Sequence, residues 1–180
     1  MPEVNIRPAV VSDLPYLVKI EHVYQSHYVW QMDRTIADGQ ISVQFRLTRL
    51  PRPVRVEHTG SHPLLDEENW SRNQAVLVST VEQEPVGYIS LSGQFAPKTL
   101  WVTDCAVRQD VRRNGIGTSL VLAAQEWGLE HGYRRVILEM QSKNHPAILL
   151  ARKLGYEFCG YNDHYFANQD IALFFSKTIR

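Results

Sequence analysis

Arg112-Arg113-Asn114-Gly115-Ile116-Gly117-Thr118 is the stretch whose residue types and spacing are suited to chemistry. Two arginines supply charge-assisted hydrogen bonds. Gly115 and Gly117 put no Cβ between the backbone and a bound group, and both permit φ > 0. A helix that starts here leaves its first N–H groups without intrahelical acceptors, at the positive end of the macrodipole. Those are the ingredients of an anion site, and the reading is a pyrophosphate cradle. A glycine turn with solvated arginines is the plain alternative. Two other phosphate motifs are excluded. Position 120 is Leu, so the third glycine of G-x-G-x-x-G is missing, and no Gly-Lys-Ser/Thr follows at Walker spacing.

The flanking elements must aim this loop. Thr99 to Val107 reads as a buried strand, and Ile116 to His131 as an amphipathic helix. The helix buries Ile116, Leu120, Ala123, Ala124 and Trp127 opposite Ser119, Glu126 and Glu130, and Gly132 ends it. Arg135–Gln141 is the next strand, parallel to 99–107 because a helix crosses between them. Pro146–Leu154 is a second helix, capped by Asn144 and terminated at Gly155, and Tyr156–Tyr161 and Ile171–Ser176 are the final strands.

Upstream, Val4–Arg7 is a short strand. Ser12 or Asp13 caps a helix carrying Leu14, Leu17, Val18 and Ile20. Residues 22–38 hold Tyr24, His27, Tyr28, Trp30 and Met32, either core packing or one wall of an acceptor pocket; packing is the expectation, because aromatics usually dominate cores. Ile41–Leu47 alternates, Leu50-Pro51-Arg52-Pro53 breaks the run, and Val54–His58 resumes it, predicting a hairpin-like arm around 41–58. Asp66–Trp70 reads as a short helix. Ala75–Val81 and Pro85–Ser92 form a hairpin about Glu82-Gln83-Glu84, with Gly87 marking a bulge or a close backbone approach.

Composition narrows the partners. The 180 residues suit one domain, 1–180, and 19 basic residues balance 19 acidic ones. The overall field therefore favours neither nucleic acid nor an anionic membrane. Cys105 and Cys159 lack disulfide-framework or metal spacing, so no metal is expected and Cys105 reads as a small core residue. With no membrane-length apolar run and no signal pattern, the expectation is a soluble cytoplasmic protein.

The R-x-x-G-x-G pattern after a hydrophobic strand resembles the acetyl-CoA loop of the GNAT acetyltransferase superfamily. Asn144-His145-Pro146-Ala147 through Gly155-Tyr156 resembles its N-x-x-A-x-x-x-Y-x-x-x-G-F signature, and Ile6-Arg7-Pro8-Ala9 with Asp13-Leu14 resembles its opening. The resemblance covers about half the chain and implies an α/β (α+β) fold. Its central sheet is mixed, with antiparallel N-terminal strands, a parallel pair splayed at the cofactor cleft, and helices on both faces. It implies acetyl-CoA as co-substrate. Arg112, Arg113, Asn114, Gly115, Ile116, Gly117 and Thr118 would hold the pyrophosphate. The backbone of Ala106 and Val107 would meet the pantetheine and acetyl groups, while Asn144 bonds the pantetheine arm and small Ala147 lets it pass.

The implied reaction is acetyl transfer to a primary amine by direct attack on the thioester, the acceptor being a small amine or a protein amine. An alkylammonium has a pKa of about 10.4, so a proton must leave before nitrogen attacks. Glu139, in Leu-Glu-Met-Gln-Ser-Lys-Asn, resembles the base of ribosomal-protein-type and streptothricin acetyltransferases. A desolvated carboxylate between parted strands has a raised pKa and can accept that proton. An ion pair with Arg134 or Arg135 is the structural alternative. Asp104 is the second candidate base, more readily a buried hydrogen-bonded Asp. Ala151 stands where many family members have a tyrosine acid. Tyr165 is the expected substitute, with Tyr161 and His164 beside it. A non-catalytic acyl-CoA-binding or sensing module is the alternative function, and the arm makes a homodimer an expectation.

Overall fold

The computed structural model describes residues 4–57 and 75–180, so the expected Asp66–Trp70 helix lies outside the described residues. Seven strands form one sheet: β1 (Val4–Pro8), β4 (Ala75–Val81), β5 (Glu84–Ala96), β6 (Thr99–Val107), β7 (Arg135–Gln141), β9 (Ala172–Thr178) and β8 (Glu157–Asn162), in that spatial order. Every neighbouring pair is antiparallel except β6 and β7. The helix between those two, α2 (Ile116–Glu130), makes the crossover that a parallel pair requires. The β4–β5 hairpin turns on Glu82 and Gln83, both at positive φ as a tight two-residue turn demands.

The sheet separates two apolar clusters. One holds Ile116, Leu120, Val121 and Ala124 of α2 with Ile148 and Ala151 of α3 (His145–Lys153). The other packs Leu14, Leu17 and Ile20 against Val76, Val78, Tyr88 and Ala106. Strand β6 contributes to both because Leu91 pairs with Val102 while Ser90 pairs with Asp104. Thr103 is therefore an extra residue, a bulge that re-aims the rest of the strand. Val102 faces the α2 side, whereas Asp104 and Ala106 face the other.

The parallel ladder is short. It runs from Thr99↔Arg135 to Val102↔Leu138 and stops. Beyond that point β6 and β7 part.

Three sequence expectations need correction. The helix expected after Ser12 is only a 3-10 turn at Val11–Asp13 and one α-turn, α1, at Leu14–Leu17. Lys19 and Ile20 bond back three residues, to Tyr16 and Leu17, which tightens and ends it, and Val18 is exposed. Asp13 does not cap it with its side chain. Its buried carboxylate instead takes Arg7 Nη1 at 2.7 Å and Arg7 Nη2 at 2.9 Å, and the Val10 N–H at 2.8 Å.

The arm is larger than predicted. Residues 22–38 are mostly strand: β2 (Val23–Ala37) pairs with β3 (Gln40–Glu57) in a separate two-stranded sheet. Pro51 and Pro53 do not break β3. The register passes from Tyr28↔Arg49 to Ser26↔Val54, so residues 50–53 bulge opposite His27. A strand paired on one side only tolerates prolines there.

Asp13→Ala is expected to lower unfolding free energy by about 1–3 kcal/mol, read from urea melts. The Arg7 guanidinium holds the Asp13 carboxyl below its ordinary 3.8. A depressed folded-state pKa contributes stability above the unfolded value and loses it as pH falls, so the gap between wild type and variant should close below about pH 4.

Candidate active site

Where β6 and β7 part, a cavity of about 1180 Å³ opens. The end of β6, the C-terminal half of β7, the starts of α2 and α3, and residues 21–28 line it, with Arg49 and Arg55 from β3.

The glycine loop meets this cavity as a helix start. Gly115 is the residue before α2, left-handed at φ 82°, and no side chain caps the helix. No atom lies within 4 Å of where a Gly115 Cβ would stand. Ser119 N–H makes the first intrahelical bond, to Gly115 O at 3.0 Å. The N–H groups of Ile116, Gly117 and Thr118 therefore have no helix acceptor, and all three residues line the cavity. The start of α3 is closed by contrast. Asn144 Oδ1 accepts Ala147 N–H at 3.2 Å, Pro146 has no N–H, and His145 N–H bonds Lys143 O. Of the two helix starts on the cavity, α2 presents the open donor set, and a diphosphate fits it.

Arg112 and Asn114 behave differently from expectation. Arg112 does not offer its guanidinium to an anion. Nε donates to Val107 O at 2.8 Å, Nη1 to Val23 O at 2.7 Å and Nη2 to Glu21 O at 2.7 Å. Burial among these carbonyls lowers its pKa. Arg113 lines the cavity in a left-handed conformation. Asn114 reaches back to Val111 O at 3.2 Å and does not line it.

Ala106, Val107, Asn144 and Ala147 all line the cavity. Asn144 is thereby both the cap of α3 and a cavity amide. Gly87 keeps Ala106 in place: a Cβ there would stand 2.9 Å from Ala106 O and 2.8 Å from Ser79 Oγ. Both the close approach and the bulge read from Gly87 are present, the latter between Ser79 and Thr80.

Glu139 lines the cavity from β7. Its Oε2 accepts Trp101 Nε1–H and Tyr165 O–H, each at 3.0 Å. Arg135 is committed to Ser176 Oγ and Arg134 to Tyr133 O. Tyr165 thus reaches Glu139, but neither it nor Tyr161 nor His164 lines the cavity. Tyr161 packs on Phe45, and His164 is exposed beside Asp163. Ala151 is fully buried in the core.

Asp104 is buried and accepts a short hydrogen bond from Tyr88 O–H, while His22 Nε2 lies 3.2 Å from its Oδ2 and 2.8 Å from Tyr88 Oη. Nothing in the spacing of the sequence joins these three. Tyr24 O–H donates to buried Gln141 Oε1 at 2.7 Å, and Gln141 Nε2 leads on to Asp170. The aromatic stretch is therefore divided: Tyr24, His27 and Tyr28 line the cavity, whereas Trp30 packs on the core. Cys105 also departs from expectation. It is exposed on the cavity rather than packed in the core. Desolvation, with the Asp104 charge beside it, pushes the thiol up to about 12.

Residues 45–156 match the family model described as the acetyltransferase (GNAT) family, more than half of the chain. The chain belongs to the GNAT acetyltransferase family. An N-alpha-acetyltransferase of Sulfurisphaera tokodaii is 33% identical over 109 residues, covering 54% of this chain and 65% of that protein, less than two thirds of the relative's length. A nourseothricin acetyltransferase shares the fold with a TM-score of 0.83 at 21% identity, over 98% of this chain and 99% of its own. A Bacillus anthracis protein solved with acetyl coenzyme A gives a TM-score of 0.79 at 16% identity, over 99% of both chains. A ribosomal-protein-alanine N-acetyltransferase from Brucella melitensis gives 0.67 at 25% identity, over 97% and 99%. Among the described residues the one parallel pair sits at mid-sheet. Among the described residues no His, Cys, Asp and Glu group has metal-holding geometry, and no helix is long and apolar enough to cross a membrane.

Gly87→Ala should cost about 1–3 kcal/mol in thermal melts, because its methyl meets the Ala106 carbonyl rather than a flexible chain end.

Proposed function

We propose that this protein transfers an acetyl group from acetyl-CoA to a primary amine. The observation that carries the reading is the open first turn of α2, placed at the mouth of a cleft whose far strand presents Glu139. The relatives named as acetyltransferases support it, and so does the acetyl-CoA complex of the similar fold.

The amides of Ile116, Gly117 and Thr118 hold the pyrophosphate, with Arg113 adjacent. Arg112 holds the loop itself against residues 21–23. Ala106 and Val107 flank the pantetheine and acetyl groups, with the Asn144 amide and small Ala147 across the gap. Acetyl-CoA supplies a thioester carbon open to attack. The acceptor nitrogen bonds to that carbon, the C–S bond breaks, and sulfur departs with the electron pair. Glu139 takes the proton the ammonium must shed. Trp101 and Tyr165 fix the orientation of its carboxylate, so Tyr165 is a positioning residue in this scheme rather than an acid acting on sulfur. A thiol pKa near 8.5 makes thiolate a workable leaving group even with Ala151 in place of a phenol. The raised pKa of the Cys105 thiol disfavours its thiolate.

The buried Ala151 also favours a second reading, an acyl-CoA-binding module without turnover. Release of free thiol from acetyl-CoA in the presence of a panel of amines separates the two. Under acetyl transfer, Glu139→Gln lowers kcat by about 10²-fold while the calorimetric Kd for CoA stays unchanged. Gly115→Val forces a β-branched residue into a left-handed position and so strains the turn that sets the first-turn amides. It should weaken CoA binding by about tenfold or more, equivalent to about 1.4 kcal/mol. Unaltered CoA affinity in that variant would remove the pyrophosphate assignment.

A further inference from the structure

Resting on acetyl transfer as the activity, we propose that the amine acceptor carries an anionic group, of carboxylate type, close to the reacting nitrogen. Besides the first turn of α2, the cavity is lined by the base of the β2–β3 hairpin. That wall is cationic and aromatic. Arg49 and Arg55 reach the cavity from β3, and His27 and Tyr28 from β2. No carboxylate of either strand lines it. Arg49 pairs with no carboxylate among the described residues, and Arg55 meets only the exposed Glu57 at 3.4 Å, an ion pair too solvated to neutralise it.

The acidic groups in the cavity are held by partners other than these arginines. Asp104 is bound by Tyr88 and His22, and Glu139 by Trp101 and Tyr165. Glu21 is exposed, at the edge by Arg112. Beyond Tyr28, whose ring stands 4.9 Å from that of His145, the His145 Nδ1 is buried and has no hydrogen-bond partner among the described residues. Burial and nearby Arg152 hold the His145 pKa below its ordinary value, so at neutral pH the ring is uncharged and can donate or accept one hydrogen bond. Planar guanidinium groups receive carboxylates bidentately. A polyamine or other polycation would bring like charge to the same wall.

The test uses the full chain with acetyl-CoA and reads thiol release. Five acceptors are compared: a short peptide with acidic second and third residues, its neutral and lysine counterparts, a free amino dicarboxylate, and a linear polyamine. The acidic peptide or the free dicarboxylate should show kcat/KM about tenfold above the neutral peptide, with the cationic acceptors below it. Whichever of the two anionic acceptors leads identifies the source of the carboxylate. Arg49→Gln and Arg55→Gln should each shrink the anionic-to-neutral ratio, and Arg49→Glu should invert it. A purely structural role would lower all acceptors alike and leave the ratio standing. Polyamine turnover at or above that of both anionic acceptors overturns the inference alone, as does a ratio unmoved by the variants. Silence with every acceptor, together with no heat on CoA titration, overturns acetyl transfer itself and this inference with it.

Discussion

The site depends on an interruption: the parallel ladder of β6 and β7 ends at Val102↔Leu138. Backbone groups beyond an interrupted ladder need other partners, or a ligand that supplies them. The Thr103 bulge sends Asp104 and Ala106 toward one face, and Gly87 lets β5 stay close enough to hold that altered strand. On the other side of the gap, β9 pairs with β7 along its whole length, so β7 is anchored where β6 leaves it. The gap is thus set by the pairing of the sheet itself.

The two faces of the sheet divide the work around that gap. The α2 face is apolar, and its polar groups are main-chain amides at a helix start, suited to a ligand recognised by shape and charge. The opposite face carries side chains with hydrogen-bonding tips: His22, Tyr88, Asp104, Trp101, Glu139 and Tyr165. These residues come from five separate parts of the chain. Each carboxylate has an aromatic donor beside it, Tyr88 at Asp104 and Trp101 with Tyr165 at Glu139, which holds its orientation.

Features read correctly from the sequence were those set by local chemistry. Gly115 before an apolar helix, Asn144 before Pro146, and the hairpin at Glu82-Gln83-Glu84 each depend on residues within a few positions, and those elements followed. Features decided by distant partners were not legible. Asp13 has the composition of a cap, but Arg7 claims its carboxylate. Pro51 and Pro53 signal a break, yet the open edge of β3 accepts them as a bulge. The His22–Tyr88–Asp104 cluster requires knowing that β5 and β6 are adjacent and that Thr103 shifts the register between them. Cys105 illustrates the same limit, since an apolar strand in sequence becomes a cavity lining once its neighbour strand departs.

Arg112 is the residue whose sequence reading and structural role differ most. Its guanidinium is tied to three peptide oxygens drawn from β6 and from the segment leading into β2. A lysine could not stand in for it, because one compact ammonium cannot span three acceptors fixed in a fork. The charge at this position therefore acts on a bound anion only through its field, with no directional demand of its own. The loop and the root of the hairpin are thus cross-braced by one side chain.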